Sequence, residues 1–216
     1  MQLNNFSRLA MRADKIKYFE ARQIARLRRI VKERFILASS KNQPTAIREW
    51  AAIDLLTSTG MRVAEVVDLR CGDVMCGYGQ FEVWVRNGKG GKSRTIQVQE
   101  SLKTHLRQFI SWKRDRKEPV GEDDYLFVGQ RGPWSRQAVQ QMVKKYFRLM
   151  GIYEKGRSVH AIRHSYATEL YRNSKDLRAV QKQLGHASIT TTMVYADVTK
   201  EDIRNHLTGM WRNSCG

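Results

Sequence analysis

Apolar positions recur at helical spacing between Tyr18 and Glu33, where Ile24, Leu27, Ile30 and Val31 share one face of a segment otherwise rich in arginine. The pattern predicts a basic amphipathic helix. A turn over Ser39 to Pro44 leads to a second helix, in which Trp50, Ile53, Asp54 and Leu56 precede a break at Gly60. Met61 to Leu69 reads as a third helix carrying Val63, Val66, Val67 and Leu69. The period then changes from helical to alternating. Over Gln80 to Val85, Phe81, Val83 and Val85 alternate with polar neighbours, as a half-buried strand requires. Asn87 to Gly91 is a glycine-rich turn, Thr95 to Val98 pairs back as a second strand, and Tyr125 to Val128 supplies a third. From Ser135 the helical period returns and holds almost to the end. The expected fold class is α+β, mostly helical, with one small three-stranded antiparallel sheet.

Composition narrows the class of partner. The chain has 216 residues, 41% of them hydrophobic, with five tryptophans, enough for a real core. Its 39 Lys and Arg against 21 Asp and Glu leave a formal charge of +18. Such a surplus repels itself unless a polyanion neutralises it, and nucleic acid is the usual polyanion. A basic structural protein, such as a ribosomal component, fits the charge equally well. The three cysteines, Cys71, Cys76 and Cys215, form no CxxC pair, which points to reduced thiols and not to a disulfide framework or zinc site. The opening residues lack a signal-peptide apolar core, and no apolar run approaches the ~20 residues of a membrane span. The expectation is a cytoplasmic, DNA-associated protein with no membrane contact.

Attack on a phosphodiester without metal needs fixed cations at the phosphate oxygens, a nucleophile in line and an acid for the departing oxygen. Arginine suits the first task, since its planar fork gives two-point hydrogen bonds and keeps its charge. Arg62 stands at the opening of a helix with Glu65 one turn later, placed to orient the guanidinium. His160 and Arg163 lie three apart, on one helix face. Gly185 ends an amphipathic stretch containing Leu177, Val180 and Leu184, and His186 follows it. Tyr195 is nine residues further on. Singly these features are weak: a His-x-x-Arg pair is usually a solvated helix face, Gly-Lys-Gly is usually a turn, and seven other tyrosines are present. Order and spacing together say more.

The sequence resembles the catalytic domain of the tyrosine recombinase family, the phage integrase and Xer-like proteins, from about Phe19 onward. TGMRVAEVVDLRCGDV resembles the family's first arginine motif, and VRNGKGGKSRTIQV its β-hairpin lysine motif. RGPWSRQAVQQMVKKY resembles a DNA-contacting helix, VHAIRHSYATEL the His-x-x-Arg motif, and LGHASITTTMVYADV the segment ending in the nucleophile. The separations of 26 residues from His160 to His186 and nine from His186 to Tyr195 are similar to the family's. The resemblance implies the DNA breaking–rejoining catalytic-core fold. It implies that Arg62 and Arg163 clamp the non-bridging oxygens, that His186 adds a hydrogen bond there, and that His160 assists proton movement at the nucleophile. Lys89 would be the general acid, with Lys92 the other candidate. Tyr195 would form a 3′-phosphotyrosyl bond, with no cofactor, metal or ATP. Lys92, Arg94, Arg136 and Gln137 are candidate DNA contacts, although Ser135 before them reads equally well as a helix N-cap.

The implied partners are double-stranded DNA, further copies of the chain in a tetramer on DNA, and an accessory directionality factor. The expected organisation is a short basic arm over residues 1–18 and a catalytic domain over 19–216, without the separate helical DNA-binding domain that most relatives carry in front. Residues 1–34 hold ten Lys or Arg against three acids, so the arm could stand in for part of that clamp. Some 21 residues follow Tyr195, enough for a short helix around Glu201 to Met210, with Leu207, Met210 and Trp211 as anchors in a neighbouring subunit or on their own domain. A strand-swivelling topoisomerase would share the chemistry. A DNA-binding architectural or regulatory protein that kept the fold without cleavage is the alternative from another class. His164, next to Arg163, reads as a packing residue or one supporting the site from behind, His105 and His206 as surface or core residues, and Cys71 and Cys76 as packing residues.

Overall fold

The first helix, α1, spans Ala21–Ser39 and buries Leu27, Val31 and Ala38, with Ile24 and Ile30 partly covered. The computed structural model describes residues 18–41, 43–75, 77, 79–88, 90–154, 158–186, 190–193 and 195. The basic arm before residue 18, Cys76, Lys89, His206, Cys215 and the tail with Leu207, Met210 and Trp211 lie outside the described residues.

Helix α2, Pro44–Thr59, starts with proline in its first turn, where the missing N–H costs no hydrogen bond. Its Ala51, Ala52, Ile53, Leu55 and Leu56 are all buried, so it is apolar on almost every side. Such a helix belongs at the centre of a bundle. It is packed by α1, by α4 (Glu100–Asp115) and by α6 (Val159–Ser174). Each fully buried Leu or Ile there contributes roughly 1.5–3 kcal/mol. Gly60 ends α2 in the left-handed region at φ 62°, and a Cβ there would meet Tyr166 Cδ1 at 2.5 Å. Both facts require glycine.

Helix α3, Val63–Asp68, follows at once. Strands β1 (Val74–Met75), β2 (Glu82–Val85) and β3 (Arg94–Gln97) then form an antiparallel sheet in the order β1-β2-β3. Val83 faces Ile96 in the register and both are buried, so the alternation seen in the sequence does mark the core side.

The third strand is not the one expected. Tyr125 makes only an isolated bridge to Arg70, and the place beside β2 is taken by β1. The buried ammonium of Lys113, on α4, donates to the carbonyls of Tyr125 at 2.6 Å and Leu126 at 3.1 Å. Those carbonyls thus find a partner on α4. Val128 instead turns back in a two-residue hairpin, β4 (Val128–Gly129) with β5 (Gly132–Pro133).

Helix α5, Arg136–Leu149, starts with Ser135 as its N-cap, the hydroxyl accepting from the Ala138 amide at 3.1 Å. Helices α6 and α7 (Leu177–Leu184) enclose a small second cluster of Ala167, Val180, Leu184 and Tyr195, with the short helix α8 (Thr190–Met193) against α7. Among the described residues, no helix is long and apolar enough to cross a membrane.

Candidate active site

Two helix ends and one buried arginine organise the site. Helices α2 and α7 both terminate in a left-handed glycine, Gly60 and Gly185. The guanidinium of Arg163, on α6, donates to the carbonyl of Gly60 at 2.7 Å and to that of Leu184 at 2.9 Å. Helix C-termini carry partial negative charge, so they hold a buried cation that would otherwise be costly. Arg163 is only 5% exposed. Burial, with the charge of nearby Arg62 next in weight, pushes it down to about 10, so it stays a cation at neutral pH.

Arg62 is reached through Glu65. The Glu65 carboxylate accepts the Arg62 amide at 2.8 Å and its Nη1 at 2.8 Å. The start of α3 is therefore occupied by its own carboxylate and not left open for an outside anion. Arg94, on β3, donates to both oxygens of the same carboxylate, at 2.8 and 3.0 Å. Burial would raise the Glu65 carboxyl, but the bonds and charges of Arg94 and Arg62 outweigh it and hold it below its ordinary range. Arg62 and Arg94 thus share one carboxylate while Arg163 is held by backbone carbonyls, and the cluster is short of negative charge.

Tyr195 sits 7% exposed on the α6–α7 cluster. Its hydroxyl is 2.7 Å from Nδ1 of His164. Burial raises the phenol above its ordinary value, opposed by the charges of Arg163 and Arg62. Burial, then the charges of His160 and Arg163, push His164 down to about 4. With the ring neutral, which of the two groups donates follows from the histidine tautomer. The ring of His186 lies 6.3 Å from that of Tyr195, and its Nδ1 is 3.1 Å from the Thr192 hydroxyl. Burial, then the charges of Arg163 and Arg62, push His186 down to about 4 as well.

Of the residues singled out in the sequence, Arg62, Arg163, His186 and Tyr195 come together here, with Arg94 and Glu65 behind them. His160 occupies the first turn of α6, exposed, close enough for its charge to act on His164. Lys92 is exposed in the loop that follows β2, where Gly88 N–H donates to its carbonyl at 2.9 Å. Arg136 and Gln137 are exposed at the start of α5. Sequence reasoning took His164 for a packing or supporting residue and did not foresee its contact with Tyr195. Its partner is 31 residues away, and adjacency to Arg163 was the one available signal. His105 is buried, with Nδ1 2.7 Å from Asp54, and Cys71 is buried in the main core.

A family model described as the phage integrase family matches residues 21–202. The chain is similar to the tyrosine recombinase XerD of Listeria innocua serovar 6a, at 35% identity over 170 residues covering 78% of this chain and 56% of that protein. It is 37% identical over 175 residues to the XerD of Ralstonia nicotianae, covering 80% of this chain and 55% of that one. The solved structure of the XerH site-specific recombinase bound to difH substrate, a pre-cleavage complex, superposes with a TM-score of 0.73 at 26% identity, covering 89% of this chain and 54% of that one. The XerA recombinase superposes with a TM-score of 0.67 at 28% identity, covering 92% of this chain and 65% of that one. The chain spans little more than half the length of the XerD relatives.

Proposed function

The chain belongs to the phage integrase family, and from that premise we propose that it cuts and rejoins DNA at specific sites through a covalent bond between Tyr195 and a backbone phosphate. The observation that carries this reading is the placement of a buried tyrosine hydroxyl beside Arg62 and Arg163, in a cluster with more cations than carboxylates. A phosphodiester brings the missing negative charge, and fixed guanidinium groups stabilise it further as charge shifts onto its oxygens.

In this scheme Arg62 and Arg163 hold the non-bridging oxygens, and His186 adds a hydrogen bond. Tyr195 attacks phosphorus as the bond to the 5′-oxygen breaks, leaving a 3′-phosphotyrosyl enzyme and a 5′-hydroxyl. A lysine of the β2–β3 hairpin, Lys89 or Lys92, protonates the leaving oxygen. Because the phosphotyrosine conserves the bond, rejoining needs no ATP. Double-stranded DNA is the partner. The exposed Arg136, Gln137 and Lys92 are the proposed contacts, whereas Arg94, expected beside them, has its guanidinium turned onto Glu65; a tetramer on DNA and an accessory directionality factor complete the scheme.

The test is covalent trapping on nicked suicide substrates drawn from DNA flanking the coding sequence. A protein–DNA band that resists denaturation, forms in chelator and disappears in Tyr195→Phe is the expected result. DNA binding without any such band on any substrate would favour an architectural or regulatory role.

A further inference from the structure

The Tyr195 hydroxyl does not rest against His160, the histidine to which the motif assigns proton movement. It rests against His164, one turn along the same helix. The contact is short, with Nδ1 2.7 Å from the phenol oxygen, and the two rings lie 5.7 Å apart and tilted by 46°. A neutral ring carries one donor and one acceptor nitrogen, so Nδ1 can accept the Tyr195 proton in the tautomer that is protonated on Nε2.

We infer that His164 is a catalytic residue that accepts the Tyr195 proton at Nδ1 as the tyrosine attacks, and returns it when the strand is rejoined. The inference rests on the recombinase reading above. Its bookkeeping is simple. The Oη–P bond forms while the P–O5′ bond breaks; the phenolic proton passes to His164, and the 5′-oxygen takes a proton from the hairpin lysine. On rejoining, the 5′-hydroxyl attacks phosphorus, its proton goes back to the lysine, Oη–P breaks, and His164 reprotonates the phenolate. No oxidant, metal or co-reactant enters.

The groups around His164 explain why it can do this only with substrate in place. From its own helix it faces His160 and Arg163, from the end of α7 it faces His186, and from beyond α8 it faces Tyr195. Without an anion, burial first and then the charges of His160 and Arg163 disfavour protonation of the ring, which keeps one nitrogen able to accept. A bound phosphate would offset part of that positive field and raise the ring's basicity as the phenol must ionise. His160, exposed at the start of α6, lacks such a contact with the nucleophile among the described residues.

The variants His164→Asn and His164→Leu separate the possible roles, because the asparagine carbonyl can accept the phenol's hydrogen bond in place of Nδ1 but cannot take the proton. Both are expected to bind DNA within about twofold of wild type and to cleave about 100-fold more slowly or worse, in the range seen for loss of a general base. The defect should persist on a substrate with sulfur at the 5′-bridging position, whose leaving group needs no acid, whereas the same substrate should rescue variants of the hairpin lysine. Asparagine cleaving at the wild-type rate, either variant cleaving faster than wild type, or sulfur rescuing His164→Leu would each overturn the inference. A DNA-free measurement keeps it separable from the recombinase reading. Long-range 15N–1H correlation on the intact protein at pH 7 should show His164 protonated on Nε2 alone, with the pattern perturbed by Tyr195→Phe. A ring protonated on Nδ1 would sink the proposal even if covalent adducts form. A protein with the expected ring state that never forms adducts with any DNA would instead refute the proton transfer together with the recombinase reading.

Discussion

Arg94 closes a two-point ion pair on Glu65 from the far side of the hairpin, at 2.8 and 3.0 Å, and Glu65 in turn holds Arg62 at 2.8 Å. Arg62 is thus positioned by a carboxylate that is itself positioned by the sheet. Glu65 is 2% exposed on its side chain and Arg94 13%, so the pairing is shielded from salt. Arg94 Nε has no hydrogen-bond partner among the described residues.

Glu65→Gln should therefore destabilise the fold by about 3–5 kcal/mol, the usual cost of stripping one partner from a buried ion pair. Urea melts would read it. Sulfate, by supplying an anion to three unbalanced arginines, should recover more of the loss than chloride at equal ionic strength. Equal effects of the two salts would mean that the cluster does not act as an anion site.

Gly185 is tied to the same arginine. It has φ 65°, and a Cβ would stand 2.6 Å from Arg94 Cδ and 2.7 Å from Nε. Gly185→Ala is expected to cost about 1–3 kcal/mol from backbone strain alone and to push Arg94 off Glu65. Gly60→Ala meets the ring of Tyr166, which cannot bend away as an arginine can, so it should lower Tm further. The reverse ranking in thermal melts would contradict this account.

Much of this architecture was legible because it is local. Helical period marked Leu27 and Val31 as the core face of α1, and Ser135 was readable as a cap, since a hydroxyl three residues before an amide is a one-turn device. The third strand was misjudged because Val74–Met75 is too short to show alternation, while the apolar run at Tyr125 to Val128 owes its place to Lys113. The roles of Arg94 and His164 were hidden for a related reason. Their partners, Glu65 and Tyr195, are 29 and 31 residues away, and no periodicity spans such a distance. Charge surplus and motif order pointed to a chemistry, but the contacts that hold each group come from tertiary packing.

A side chain of helix α7 is hydrogen-bonded along the edge of the hairpin. Gln183 accepts from the Gln97 amide at 3.2 Å and donates to the Gln97 carbonyl at 2.7 Å, as a neighbouring strand would, and its Nε2 also lies 3.0 Å from the Tyr166 hydroxyl. In Gln183→Ala the Gln97 amide should exchange with solvent at least about tenfold faster, one unit of 1.4 kcal/mol for a lost hydrogen bond. The Val83 and Ile96 amides, in the interior of the ladder, should be unchanged. Uniform loss of protection across the sheet would show that Gln183 supports the whole domain and not one edge.

The acid side of the stability profile follows from the two histidines at the site. His164 and His186 are each pushed from an ordinary value of 6.5 down to about 4. In the unfolded chain both take up protons as pH falls through 6.5, while in the folded protein they do not until about pH 4. Unfolding therefore absorbs protons throughout that window, and stability falls as pH falls. The contribution is fully present above pH 6.5 and is lost progressively towards pH 4, with up to about two protons taken up per molecule unfolded. Depressed carboxylates such as Glu65 and Asp54 act below this window, so the two effects separate on the pH axis. Denaturant melts at half-unit steps from pH 8 to 4 should show a slope that His164→Leu reduces by about one proton. An unchanged slope in that variant would mean that His164 is not held neutral by its surroundings, and an anion such as sulfate should shift the wild-type profile to lower dependence by offsetting Arg62 and Arg163.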